Sequence, residues 1–212
     1  MGHLITIEQA RRFYDDADAV HDFDHVLRVL ALAERIGQAE GVDLEIVRAA
    51  ALLHDVEREQ GGEGGLDHAA SAARRVPEIL CAAPSETVEA VAHAVAAHRF
   101  RTGPDPVTPE AQVLFDADKL DAIGAVGVAR AFAYGGAHHQ RLWTPAENVD
   151  LARWKAEGDD PTDHTPVHEF VVKLSQIKGR LFTRTGRAIA QERHDYMVGF
   201  FQRLDAEVQG KR

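Results

Sequence analysis

Apolar residues in this chain recur three and four positions apart, the spacing of one helix face, and almost nowhere alternate as a half-buried strand would. Val26, Leu27, Val29, Leu30, Ala33 and Ile36 mark the longest such stretch, which predicts a helix from Asp22 to about Gln38 that Gly41 ends. Before it, Thr6-Ile7-Glu8-Gln9 has the form of a capping box opening a helix to about Asp18. Asp43 caps the next helix, which runs through Ala49-Ala50-Ala51-Leu52-Leu53 to His54-Asp55. Glu59 to Gly65 is glycine-rich and reads as a loop. Asp67 to Leu80 is helical in pattern, with Pro77 breaking its last turn. Ser85 caps a helix to about His98, and Gly103, Pro104 and Pro106 make 101–108 a loop. Thr108 and Pro109 open a short helix toward Asp118, followed by a small-residue helix from Ala122 to Tyr134. Residues 141–165 are less regular, with a helix over Ala146 to Ala156. Helices over Pro166 to Phe182 and Arg187 to Val208 complete the pattern. No internal repeat or linker separates two cores, so the expectation is one all-α domain over 1–212 with about ten helices.

Composition narrows the class. Hydrophobic residues make up 45% of the 212, enough for a sizeable core and too many for a disordered chain. The net charge of −10, with no block of Lys or Arg, argues against a nucleic-acid polymer or an anionic membrane as partner. A small anionic substrate remains compatible, because a bound cation reverses the local field. The single cysteine, Cys81, allows no intrachain disulfide and fits a reducing compartment. With no transmembrane-length apolar run and no signal-peptide pattern, the expected location is the cytoplasm.

Against that background one dipeptide stands out. His54-Asp55 places an imidazole and a carboxylate at the end of a wholly apolar helical run, and both are metal ligands by chemical type. Neighbours on a helix differ by roughly 100° in direction, but at a helix end both can turn toward one point. A divalent ion needs further ligands. His25 and Asp118 supply them in type, each set among apolar residues. Unpaired buried carboxylates are costly, and metal coordination resolves that cost. Each residue by itself reads first as a satisfied core histidine or a helix-end acid; the four in this order do not. Mixed imidazole and carboxylate donors favour Mn, Fe, Co, Ni or Zn over Ca.

The order His25, His54-Asp55, Asp118 resembles the HD-domain metal-dependent phosphohydrolases. The flanking segments His21-Asp22-Phe23-Asp24-His25-Val26-Leu27-Arg28-Val29, Ala50-Ala51-Leu52-Leu53-His54-Asp55 and Asp116-Ala117-Asp118-Lys119-Leu120-Asp121 look like its small, single-domain bacterial subgroup. So do His168-Glu169-Phe170-Val171-Val172-Lys173-Leu174 and Thr183-Arg184-Thr185-Gly186-Arg187-Ala188. The resemblance covers roughly residues 20 to 200. It implies an HD core over about 20–135 with C-terminal helices, about 145–208, packed on it. It implies a divalent ion (Mn, Ni, Co, Fe or Mg), one in number, with two allowed for by the extra histidines. It also implies hydrolysis of a phosphate ester or anhydride, with a nucleotide as the expected substrate.

Such chemistry asks for an acid or base and for cations to hold phosphate. Glu57 is a candidate to orient or deprotonate water, with Arg58 a phosphate contact; by themselves both read first as an exposed charged run. Lys119, next to Asp118, would contact a phosphate in related enzymes. His93 and His98 lie five apart and face roughly 140° apart, so one ion does not take both. His98, at the helix end, is the active-site candidate as outer donor, proton donor or second-metal ligand; His93 is packing or substrate-side support. His68 can meet a phosphate or a second metal, and His168 and Lys173 can reach a pocket from the far side. The glycine run lacks a P-loop ending and reads as a lid. Two other classes compete: an HD-fold oxygenase with two irons, using His68 with His93 or His98, and a non-catalytic ligand sensor.

Overall fold

The computed structural model describes residues 3–14, 23–57, 68–99, 103–149 and 164–212, and among them every regular element is helical. The chain divides into two compact units: Met1–Asp118 with Leu181–Gly186, and Lys119–Arg180 with Arg187–Arg212.

In the first unit, α1 (Ile7–Arg11) starts at the expected capping box: the Thr6 hydroxyl accepts from the Gln9 backbone and the Gln9 side chain accepts from that of Thr6. It is shorter than the pattern predicts, giving way to a turn at Arg12; 15–22 lie outside the described residues. α2 (Phe23–Glu40) buries His25, Val26, Val29, Leu30, Ala33 and Ile36 along one stripe. It ends where Gly41 takes φ +73°, a conformation that favours glycine, and the Gly41 and Val42 amides close back on the Gly37 carbonyl. α3 (Leu44–Leu53), capped by the Asp43 carboxylate, is apolar nearly all round. Such a helix belongs inside, and α3 packs against α1, α2 and α5. Its central position carries His54-Asp55 into the interior.

α4 (His68–Ile79) continues through Pro77 instead of breaking there. Proline removes one N–H bond in the last turn, and buried Val76 and Leu80 on either side hold that turn in place. α5 (Ser85–Ala96) packs on both α3 and α4. Its cap position is Pro84, not Ser85, whose hydroxyl donates to Glu89 one turn on. α6 (Pro109–Asp121) buries Ala111, Val113, Leu114, Phe115 and Ala117. Fully buried Asp116 reaches across to 181–186: its oxygens accept from the Phe182 amide (2.9 Å), the Thr183 amide (2.7 Å) and the Thr183 hydroxyl (2.6 Å). The Gly186 amide then donates to Thr183 Oγ1 at 2.9 Å, opening the last helix.

The second unit holds α7 (Gly124–Ala137), α8 (Pro166–Val172) and most of α9 (Arg184–Val208), which begins earlier than Arg187. The stretch from Pro166 does not stay α-helical to Phe182. After Val172 it becomes 3-10 turns over Leu174–Arg180, where buried Leu174 and Ile177 keep the three-residue spacing of that helix. Of the helix expected over Ala146 to Ala156, a 3-10 turn at Ala146–Asn148 is present; 150–163 lie outside the described residues. No described helix is long and apolar enough to cross a membrane.

Candidate metal centre

Five helix ends of the first unit deliver the site. His25 comes from the first turn of α2, His54 caps the end of α3 with Asp55 after it, and Asp118 lies in the last turn of α6. His98 follows α5 and His68 opens α4. His25, His54, Asp55 and His98 are all buried, none more than 5% exposed.

Local chemistry aims the rings. The last carbonyls of a helix lack intrahelical partners. His54 Nδ1 lies 2.8 Å from the Ala51 carbonyl, and His98 Nδ1 lies 2.6 Å from the Val95 carbonyl. A carbonyl only accepts, so both Nδ1 atoms carry the proton and both Nε2 atoms present a lone pair. Burial is the main cause that lowers the His54 pKa to about 4, with Asp55 opposing, so this ring is neutral at pH 7.

The donors converge. His25 Nε2 lies 3.3 Å from His54 Nε2, 3.5 Å from Asp118 Oδ1 and 3.8 Å from Asp55 Oδ2. His54 Nε2 lies 3.7 Å from the same Asp55 oxygen. These separations are long for hydrogen bonds. Ligands about 2.1 Å from a divalent ion sit about 3.0 Å apart at right angles and about 3.4 Å apart at the tetrahedral angle. The spacing and the donor types of His25, His54 and Asp55 therefore fit an ion, and Asp118 lies beside His25 but outside that three-residue set. Asp55, His68 and His98 form a second set, with donor atoms within 4.8 Å of one another. Asp55 faces both ways, Oδ2 toward His25 and His54, and Oδ1 toward His98 at 3.6 Å.

The other sequence candidates fall elsewhere. His93, half-buried, joins neither set, and its buried Nε2 has no hydrogen-bond partner among the described residues. Buried Glu57 pairs with Arg75 of α4, whose guanidinium also lies over the Phe13 ring. Lys119 is half-buried beside Asp118 in sequence. Arg58, the glycine loop and His21-Asp22 lie outside the described residues. His168 and Lys173 belong to the second unit. There His168 Nδ1 lies 3.0 Å from His164 Nδ1, His164 Nε2 donates to Glu169 at 3.2 Å, and Lys173 donates to Glu169 at 2.7 Å. Burial alone would raise the Glu169 carboxyl; the His164 hydrogen bond and the Lys173 ammonium outweigh it and bring it down to about 2.

Two residues near the centre carry no sequence signal. Arg75 is one. Tyr14 is the other: its hydroxyl donates to the Leu52 carbonyl at 2.9 Å. Burial, then the charge of Asp55, raise its pKa well above the usual phenol value.

The HD-domain family pattern matches residues 22–123, which include both three-residue sets and Asp118. The chain is 32% identical over 218 residues to the uncharacterized protein YpgQ of Bacillus subtilis, covering 99% of this chain and 97% of YpgQ. The YpgQ crystal structure superposes with a TM-score of 0.71 at 31% identity over 96% of each chain. YpgQ has also been crystallised in complex with ADP, and that structure covers 95% of this chain and 94% of its own at a TM-score of 0.70 and 28% identity. An HD-superfamily hydrolase from Bacillus thuringiensis gives a TM-score of 0.70 at 29% identity over 96% of each chain. With the family pattern lying over the histidine and aspartate cluster, and a relative matched end to end, the chain belongs to the HD superfamily of hydrolases.

Proposed function

We propose that the protein is a metal-dependent phosphohydrolase acting on a nucleotide. The observation that carries this reading is the buried set of His25, His54 and Asp55 at coordination spacing, with Asp118 Oδ1 3.5 Å from His25 Nε2. A divalent ion held there would polarise a phosphoryl oxygen and acidify water. The protein's own groups prepare for it. His54 and His98 are fixed in the tautomer that offers Nε2. Asp55 and Asp118 supply negative charge that repels a phosphate by itself and that a cation reverses. Lys119, adjoining Asp118, is the proposed phosphate contact. Glu57, steadied by Arg75, is the proposed orienter of water. That YpgQ has been crystallised with ADP supports a nucleotide as the substrate class.

Elemental analysis of the purified protein, joined to a phosphate- and pyrophosphate-release screen over nucleoside mono- and triphosphates with Mn, Mg, Co and Ni, tests the reading. The expected result is bound transition metal and metal-dependent release of one product. A metal-loaded protein that releases neither product from any nucleotide would sink it. A second reading draws on the His68 and His98 donors: an oxygenase with two irons. Oxygen consumption with Fe(II) and no phosphate release selects that reading.

A further inference from the structure

The C-terminal end of α3 leaves carbonyls that the helix cannot satisfy. The Ala51 carbonyl takes the His54 ring, and the Val56 amide approaches the Leu53 carbonyl at 3.5 Å. The carbonyl between them, that of Leu52, takes the hydroxyl of Tyr14, 38 positions away in sequence. The Tyr14 ring packs on Phe23, with centroids 5.2 Å apart at 56°. Phe23 is the first residue of α2, two before His25. One half-buried side chain thus touches both arms of the centre. Its ring meets the helix start that carries His25, and its hydroxyl fixes the turn that carries His54-Asp55.

We infer that Tyr14 is a positioning residue for the metal centre, setting the direction of the His54-Asp55 turn through the Leu52 carbonyl. This rests on the metal reading given above. The hydroxyl does not coordinate the ion; it holds a peptide unit two residues from one donor and three from the next. Loss of the donor leaves the Leu52 carbonyl in need of another partner. The turn then relaxes, and the Nε2 and Oδ2 positions move relative to His25.

Tyr14→Phe keeps the ring and its contact with Phe23 and removes the hydrogen bond alone. Mn binding by calorimetry on the full chain, compared with wild type and His54→Ala, reads the effect. The expected result is a 10- to 100-fold weaker Mn dissociation constant in Tyr14→Phe, of the order seen when outer hydrogen-bond partners of metal ligands are removed. Helicity should be unchanged and the visible bands of the Co-loaded protein shifted. A role in packing alone would leave affinity and spectrum as in wild type. Wild-type affinity in Tyr14→Phe, with binding abolished in His54→Ala, overturns the role of Tyr14 and leaves the centre intact. Wild-type affinity in His54→Ala overturns the centre, and the inference with it.

Discussion

At the scale of residues, the centre depends on rings that are tethered before any ligand arrives. His54 and His98 spend Nδ1 on the carbonyl three residues back, so each caps its own helix and offers Nε2 inward. Replacing His54 or Asp55 with Ala should remove metal and activity while helicity in circular dichroism persists. Full metal content in either variant by elemental analysis would show the ligand assignment to be wrong. Lys119→Ala should raise KM for the phosphorylated substrate with metal content retained, and an unchanged KM and kcat would remove its phosphate role. Of the four residues that the order in sequence singles out, His25, His54 and Asp55 lie within one set and Asp118 lies 3.5 Å from His25; a histidine or aspartate among apolar residues is visible in sequence. Tyr14 is not visible in that way. Nothing in residues 1–20 links position 14 to the Leu52 carbonyl; that hydrogen bond is a product of folding.

At the scale of elements, two helix ends show how motif residues divide between chemistry and construction. Asp116, two positions before Asp118, accepts three hydrogen bonds from 182–183 and fixes the start of α9. Gly186 lies against it: a Cβ there would fall on Asp116 Oδ2 and lie 2.7 Å from Thr183 Oγ1. The Thr183-to-Ala188 segment therefore reads as a structural clamp. Gly186→Ala should destabilise by about 1–3 kcal/mol, the usual cost of forcing atoms into a filled site. Asp116→Ala should cost about 3 kcal/mol, because it leaves the buried Thr183 amide and hydroxyl without their acceptor. Urea denaturation measures both, and wild-type midpoints would refute the clamp. In the second unit, Glu169 is held by His164 and Lys173 with its carboxyl at about 2 against an ordinary 4.5. A depressed carboxyl stabilises the fold above its unfolded pKa and loses that contribution as pH falls from about 4.5 toward 2. Glu169→Gln should flatten that part of the stability profile, as read by thermal melting between pH 6 and 3.

At the scale of the whole molecule, a cation held at the carboxylate-lined centre of this acidic chain would contribute to stability as well as chemistry. An ion that binds only the folded state stabilises it by mass action, about 2.7 kcal/mol at one hundred times the dissociation constant. Chelation should therefore lower Tm and added Mn should restore it, in a thermal-shift titration. A Tm indifferent to both would contradict a centre assembled from helix ends. The likeness to YpgQ runs over 99% of this chain, beyond the 22–123 segment that carries the centre.

The sequence by itself determined the helical class and most helix positions, because the spacing of apolar residues and the caps at Thr6, Asp43 and Gly41 are local facts. It also marked the donors, because a charged or imidazole side chain in an apolar run is costly unless something binds it. Tertiary structure decided the rest. Pro77 stays in its helix because buried neighbours hold the turn, and the stretch after Val172 tightens where Leu174 and Ile177 must both be buried. His68 and His98 join Asp55 in a second donor set while His93 does not, since only packing fixes which way a helix end points. The Tyr14 and Asp116 hydrogen bonds span 38 to 67 positions of chain, and no local pattern encodes a contact of that reach.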